Sequence, residues 1–302
     1  MKIVLSGGTG FVGRFLVQQL AASHHEISIL SRNPGSRREP VNAEIALWDG
    51  KTMGSWAKRV EGADAVINLA GETIGGKRWT KSQKARILSS RIDATKALVN
   101  AIEQAQRKPR VFVSASAVGY YGDVASGDVT ESTPPGSDFL ANVCVQWEGA
   151  AQAAEKFGVR VVTPRFGVVL DSGGDALKKL LLPFKMFVGG PLGSGRQWFP
   201  WVHREDVAGV IRFVLEHSPI SGPVNVAAPQ SVTNEEFCRA LARAMHKPCW
   251  ARVPAPVLRA ALGEMAGMIL TGQKVAPEKL EKHGYRFRYP DLDTALPAIL
   301  KG

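Results

Sequence analysis

Two kinds of stretch alternate along the chain. Short continuous apolar runs stand at 3–5, 26–30, 65–69, 110–114 and 159–163. Runs of that length, bounded by turn residues, fit strands buried on both faces of a parallel sheet. Between them apolar residues recur at helical spacing, as in Phe11, Val12, Phe15, Leu16 and Leu20. The stretch 82–105 repeats the pattern with Ile87, Ile92, Ala94, Leu98 and Ile102, and 142–157 and 206–215 also read as helices. Residues 44–47 add a strand from which Trp48, Asp49 and Gly50 turn away, 166–170 continue extended, and 224–227 form a late strand. Thr233 and Glu236 stand three apart before an apolar run, which predicts a capping box, with Val232 and Phe237 placed as a hydrophobic staple. Strands alternating with helices predict an α/β fold of Rossmann type, a doubly wound parallel sheet with a smaller C-terminal lobe. The expected division is 1–170, with 207–230 returning to it, and a substrate-side lobe of 171–206 and 231–302. Prolines at 248, 254 and 256 and a helical stretch to about residue 270 mark that lobe.

The glycines of the first turn add chemistry. Gly7, Gly10 and Gly13 lie between the first strand and the first helix, the context of a dinucleotide-binding fingerprint. Gly7 permits a tight turn, Gly10 lets backbone approach a pyrophosphate, and Gly13 lets the helix lie close to the strand. The helix N-terminus offers free N–H groups and a partial positive charge to phosphates. Ser31 and Arg32 end the second strand, where an NAD site carries an acid for the ribose 2′-hydroxyl. A guanidinium suits a 2′-phosphate instead, so NADP(H) is the expected cofactor; Arg37 and Arg38 add charge nearby. Small residues after the fourth strand, Leu69, Ala70 and Gly71, leave room for the cofactor.

Composition narrows the alternatives. The 302 residues suit one large domain or a domain with a smaller lobe. No apolar run is long enough for a membrane span, and no secretory leader is expected. Cys144, Cys238 and Cys249 have no metal-ligand or CxxC spacing, and the six histidines form no HxxH pair. A cytoplasmic protein with reduced thiols and no metal is expected. The net charge of +11 raises a nucleic-acid reading, but the cations are dispersed along the chain. An anionic small ligand accounts for part of the excess.

Together GGTGFVG, NLAG, SRIDAT, SASAVGYYG and PRFGVVL resemble the extended short-chain dehydrogenase/reductase superfamily, in its sugar-nucleotide epimerase/dehydratase branch. LAGETIGGKRW, WEGAA, GGPLGSGRQ and the tail LTGQKVAPEKL are similar to a narrower group, the epimerase family proteins, which carry an extra C-terminal domain. The resemblance covers nearly the whole chain. It implies that Gly7, Thr9, Gly10, Phe11 and Val12 hold the pyrophosphate, Ser31 and Arg32 the 2′-phosphate, and Leu69, Ala70 and Gly71 the ribose. Arg91 stands where many relatives have asparagine and is placed to reach a phosphate or ribose, with Arg86 a further candidate. Ser114 is counted with the cofactor-lining residues. A small polar, possibly nucleotide-linked substrate is implied, with no specific nucleic acid or membrane partner; the oligomeric state is open.

The superfamily's Tyr-x-x-x-Lys pair is missing. With Glu148 taken as the acid that follows the motif, Leu140 falls on the tyrosine and Cys144 on the lysine, and Leu140 is counted as cofactor-lining. None of the tyrosines at 120, 121, 285 and 289 has a lysine four residues on. Ser116 matches the superfamily's active-site serine, and Tyr121 is the first choice for a substitute acid. Tyr120, Cys144, Glu72 and His203 stay open as alternatives. The segment 189–200 combines glycines with Arg196, Gln197, Trp198 and Phe199, followed by Trp201 and His203. It reads either as a closing, ligand-holding loop or as aromatic mortar between lobes. An NADP(H)-dependent oxidoreductase or epimerase-like enzyme and a non-catalytic NADP(H) sensor or scaffold are both compatible with this sequence.

Overall fold

A computed structural model of the chain describes residues 1–35, 43–216 and 219–301. Arg37 and Arg38 lie outside the described residues. The first half runs β1 (Lys2–Ser6), α1 (Phe11–Ala22), β2 (Glu26–Ser31), β3 (Glu44–Leu47), β4 (Ala65–Asn68), α2 (Lys81–Gln104) and β5 (Val111–Ser114). Two short strands follow, β6 (Ser116–Ala117) and β7 (Asp128–Val129), and then α3 (Phe139–Gln152). The chain continues through β8 (Arg160–Phe166), β9 (Val168–Leu170), α4 (Asp175–Lys185), β10 (Trp201–His203), α5 (Arg204–Glu216) and β11 (Gly222–Val226). Last come α6 (Asn234–Met245), α7 (Ala255–Leu262), α8 (Gly267–Leu270), β12 (Lys274–Val275), α9 (Glu278–Lys282) and α10 (Leu292–Lys301).

The main sheet has the order β3-β2-β1-β4-β5-β8-β11, and every pairing along it is parallel. Chain order runs one way from β1 to β3 and the other way from β4 to β11. The reversal between β1 and β4 is a topological switch point, where open α/β sheets place a ligand crevice beyond the carboxyl ends of the strands. The pleat explains why β1 is apolar throughout. Ile3 and Leu5 pack with Leu16, Val17 and Leu20 of α1 and Val207, Ile211 and Val214 of α5. Val4 points the other way, into a core with Val66, Phe112 and the α2 residues Ala94, Leu98 and Ile102. A third cluster joins Leu177, Leu181 and Phe184 of α4 to Trp201, Phe237, Leu241, Leu296 and Ile299.

Several boundaries shift for local reasons. The helix expected at 142–157 starts at Phe139 because the Asp138 carboxylate caps it, accepting from Ala141 N at 2.8 Å. Its last turn, 153–157, tightens to a 3-10 helix that ends at left-handed Gly158. The strand expected at 159–163 runs on to Phe166, through Pro164. β5 pairs with it only as far as Val162, and β6 resumes at Arg165, so the missing proline N–H falls in the gap between those two partners. The capping box forms as expected: Glu236 N donates to Thr233 Oγ1, and Thr233 N donates to Glu236 Oε2 at 2.7 Å. Val232 and Phe237 share one core cluster beside it.

Candidate cofactor and active site

The first glycine loop is shaped by what cannot fit beside it. Gly7 has φ +76°, and a Cβ there would lie 2.6 Å from the carbonyl carbon and oxygen of Leu69. The loop after β1 is therefore pressed against the loop after β4, across the switch point. A Cβ on Gly13 would lie 2.2 Å from Gly7 O, so α1 can start this close to the turn only with glycine there. A Cβ on Gly10 would meet only Gly7 O, at 3.1 Å, which leaves its outer side open. No side chain caps α1, and no acid stands in its first turn. Free N–H groups and the positive end of the helix dipole thus stand at Phe11 and Val12, while Gly10 N closes the turn by donating to Gly7 O at 3.0 Å. Thr9 is half-buried beside them. The Phe11 ring packs under Gly174 and near the Arg204 guanidinium, so what residue 11 offers the crevice is its backbone.

At the end of β2, Ser31 is buried and its hydroxyl accepts from Asn33 N at 3.3 Å. Arg32 is exposed, has no carboxylate partner among the described residues, and runs past Gly50. At the ends of β4 and β5 lies a buried polar cluster. Ser6 Oγ donates to Asn68 Oδ1 at 2.7 Å, and Asn68 Nδ2 donates to Thr95 Oγ1 at 2.9 Å and Ser114 Oγ at 3.2 Å. Trp147 Nε1 donates to the same Thr95 hydroxyl at 3.0 Å. Ser114 is enclosed in this cluster, which fixes the floor of the crevice. Ala70 N also donates to Asn68 Oδ1, which holds the turn of Leu69, Ala70 and Gly71. Arg91 reaches that turn from α2, whereas Arg86, five residues earlier, is exposed and donates to Gln83 Oε1.

A second buried cluster surrounds Ser116. Its Oγ donates to Glu148 Oε1 at 2.6 Å. Arg165 binds the same carboxylate through Nε and Nη2, both at 2.8 Å. Arg165 Nη1 donates to Tyr121 OH at 2.8 Å, and Tyr121 OH donates to Asn225 Oδ1 at 2.6 Å. The Tyr120 ring lies under the guanidinium, 3.4 Å from its carbon. Tyr121, the first choice for the acid, is enclosed in this cluster. The side chain is 2 % exposed, its proton is committed to Asn225, and burial pushes its pKa up to about 12.

The other substitutes are also accounted for. Cys144 is buried, and burial pushes its thiol up to about 11. Leu140, one turn earlier on α3, packs against Gly119. His203 stacks on Tyr289 with ring centroids 3.9 Å apart, and its Nδ1 accepts from Glu205 N. Glu72 contributes backbone, its N–H to Ser90 Oγ and its C=O to Arg91. The segment 189–200 is pinned to the C-terminal region. Leu192 bridges to Val253 and Trp198 to Thr233, Gln197 Nε2 donates to Ile269 O at 2.8 Å, and Phe199 stacks on Phe237. Its apolar aromatics act as mortar, and Arg196 is left exposed.

Sequence reasoning did not single out Asn68, Thr95, Trp147 or Arg165 as parts of these clusters. The available signals were an arginine inside the apolar strand VVTPRFGVV and an asparagine closing the strand AVIN.

Comparison with known proteins fits this geometry. The model of the NAD dependent epimerase/dehydratase family matches residues 3–227, and a domain of unknown function, DUF1731, matches 253–299. The chain belongs to the NAD dependent epimerase/dehydratase family. Within it, the chain is 41 % identical to the epimerase family protein YfhF of Bacillus subtilis, over 99 % of this chain and 98 % of that one. It is also 41 % identical to the chloroplastic SDR39U1 homolog of Arabidopsis thaliana, covering 100 % of this chain and 87 % of the relative. Among solved structures, human epimerase family protein SDR39U1 with NADPH superposes with a TM-score of 0.90 at 36 % identity, covering both chains completely. A nucleoside-diphosphate sugar epimerase from Corynebacterium glutamicum superposes with a TM-score of 0.78 at 31 % identity, over 99 % of this chain and 57 % of that one. The parallel α/β sheet expected from the strand pattern is thus shared with NADPH-bound and epimerase structures. Among the described residues, no helix is long and apolar enough to cross a membrane.

Proposed function

We propose that this protein binds NADPH along the crevice between β1 and β4 and acts on a small polar, nucleotide-linked substrate as an oxidoreductase or epimerase-like enzyme. The observation that carries the reading is the contact of Gly7 with the Leu69 carbonyl at the uncapped start of α1. It makes a cradle of bare N–H groups that a side chain would fill, and a dinucleotide pyrophosphate fits such a cradle. Gly7, Thr9, Gly10, Phe11 and Val12 hold the pyrophosphate by backbone. Arg32, exposed past Ser31 and with no carboxylate partner among the described residues, takes the 2′-phosphate in its planar fork. Leu69, Ala70 and Gly71 line the second ribose. The NADPH bound to the human relative and the sugar-nucleotide name of the Corynebacterium relative support the choice of cofactor and substrate class. Free, largely buried thiols suit a reducing compartment such as the cytoplasm.

Bound NADPH supplies a hydride at its nicotinamide ring. The chain's own part is to position both partners. Ser116 holds its proton toward Glu148, so toward the crevice it presents an oxygen that accepts. Leu140 and Cys144 put an apolar side chain and a high-pKa thiol where the family's tyrosine and lysine would stand. The cost of a missing positioned acid is about 10²–10⁴-fold, so slow turnover is expected. The test is a screen of carbonyl compounds and sugar nucleotides for NADPH consumption, with sugar nucleotides also assayed for epimer formation in the presence of NADP+, because an epimerisation consumes no net cofactor. Slow turnover of a sugar nucleotide, reduced in Ser116→Ala, supports the reading. NADPH binding with no turnover across the screen replaces it with a cofactor-sensing role, which the committed protons of Ser116 and Tyr121 would favour.

A further inference from the structure

Among the described residues, nine large hydrophobic side chains are exposed, and five of them stand together. Leu182 and Met186 lie one turn apart at the end of α4, and Phe187 and Val188 follow. Trp250 joins them: its indole N–H donates to Phe187 O at 3.0 Å and its backbone N–H to Gly189 O at 3.0 Å. The five are 43–69 % exposed. Phe187 ends α4 where glycine is the usual residue. Its N–H donates to Phe184 O at 3.0 Å, Val188 N donates to Pro183 O at 2.9 Å, and its φ is +62°. Those two bonds close a helix around a left-handed residue that is most often glycine. A bulky aromatic is rare in that conformation, and more than half of this one faces solvent.

The rim of this patch is cationic. Lys247 Nζ lies 3.8 Å from the centre of the Phe187 ring, and Lys178 and Lys185 are exposed on α4. Among the described residues, none of these three lysines forms a salt bridge. Lys247 also lines an open cleft of about 580 Å³ with Arg239, Ala242, Arg243, His246 and Cys249. Arg239 pairs with Glu235 at 2.6 Å, and Arg243 reaches Asp293 at 3.8 Å, both at the surface. An occupant that fits is apolar where it meets the patch and anionic around it. The unpaired cations are lysines, which protein interfaces avoid. At a bilayer, lysine stems lie along the acyl boundary while the ammonium groups reach the phosphates. Trp and Phe favour the same boundary. A second copy of this chain, with its net charge of +11, would bring like charges together. We propose that this face is a peripheral membrane surface. Trp250, Phe187 and Met186 enter the headgroup boundary of an anionic bilayer, and the cleft beside Lys247 takes a lipid phosphate. The protein lies on the membrane and does not cross it. Gly174, at the start of α4, packs on Phe11 of the glycine loop, so that loop stands one helix length, about 16 Å, from the patch. This adds a lipid partner that the family resemblance does not imply.

The experiment is flotation of the full chain with vesicles of phosphatidylglycerol or of phosphatidylcholine. The wild-type protein is expected to float with the first and to stay in solution with the second. Replacing Lys178, Lys185 and Lys247 by Gln is expected to weaken binding about fivefold per charge removed. Trp250→Ala and Phe187→Gly are each expected to weaken it at least about fivefold, because each removes an inserted aromatic ring. Glycine suits the left-handed position, so Phe187→Gly should melt no lower than wild type, which separates lost binding from misfolding. Brominated acyl chains should quench the tryptophan fluorescence of the wild-type protein more than that of Trp250→Ala. No flotation with phosphatidylglycerol overturns the proposal. So does binding that survives intact in Trp250→Ala and Phe187→Gly, which would be adsorption of a basic protein by charge alone. Self-association that Trp250→Ala abolishes would assign the face to a second copy and overturn the lipid reading. Tighter binding to an acidic amphipathic peptide of Leu and Glu than to the vesicles would assign it to a protein partner, with the same consequence.

Discussion

Glu148 and Arg165 face each other in a buried two-point pair, Nε to Oε1 and Nη2 to Oε2, both at 2.8 Å. The pair joins α3 to β8 directly under Ser116. Its energetic meaning is asymmetric. Replacing both partners by apolar residues can be neutral, but removing one leaves a buried charge unpaired, at about 3–5 kcal/mol. Glu148→Gln and Arg165→Met are each expected to lower stability on that scale in urea unfolding. A double substitution to apolar residues should recover much of the loss. Single variants as stable as wild type would show that water reaches the pair.

Tyr121 belongs to the same cluster, and its expected effect is on stability. Tyr121→Phe removes the donor to Asn225 and the acceptor for Arg165, at about 1–3 kcal/mol. Measured by calorimetry and by NADPH titration, it should lower the melting temperature and leave cofactor affinity unchanged. A variant of unchanged stability that abolishes turnover would return Tyr121 to the role of acid.

His203 predicts a pH dependence. Burial holds its pKa at about 4, with Arg204 and Arg288 acting in the same direction and Asp171 opposing them. The unfolded chain therefore takes up a proton near the ordinary value of about 6.5, while the folded chain does not. This contribution to stability is full above pH ~6.5 and is lost as pH falls toward 4, by up to roughly 3 kcal/mol. Urea titrations at pH 7.5, 6, 5 and 4.5 should show the slope, and His203→Gln should flatten it. An equally steep slope in the variant would assign it to other groups.

Gly7 and Gly13 predict a packing effect that should reach the ligand. In Gly7→Ala the new methyl group meets the Leu69 carbonyl at φ +76°, and in Gly13→Ala it meets Gly7 O. Left-handed backbone and overpacking each cost about 1–3 kcal/mol. Both variants should be destabilised and lose measurable NADPH binding, whereas Gly75→Ala, with open space around it, should be neutral for both.

The sheet and the cradle were legible because their signals are local. An apolar run, a glycine turn and a helical period lie within residues 2–22, which hold β1, α1 and the turn between them. The C-terminal capping box was legible for the same reason. The Ser116 cluster was not, because it is assembled from β6, α3, β8, β11 and the turn at 118–121. Tyr121 looked available in sequence only because Asn225, the residue that takes its proton, lies 104 positions away. Arg91 stood out by type, but its bonds to Glu72 O and Ile87 O and its place over the Trp147 ring required the packing of α2 on α3.

A crevice built for NADPH, with Arg32 reading the 2′-phosphate, must distinguish NADPH from NADH. Fluorescence titration of NADPH against NADH, on the wild-type protein and on Arg32→Asp, tests it most directly. A charge-assisted contact of about 1.5–3 kcal/mol corresponds to NADPH binding at least about tenfold tighter than NADH, with the preference abolished in Arg32→Asp. Equal affinity for the two cofactors, or a preference that survives the substitution, would contradict the account.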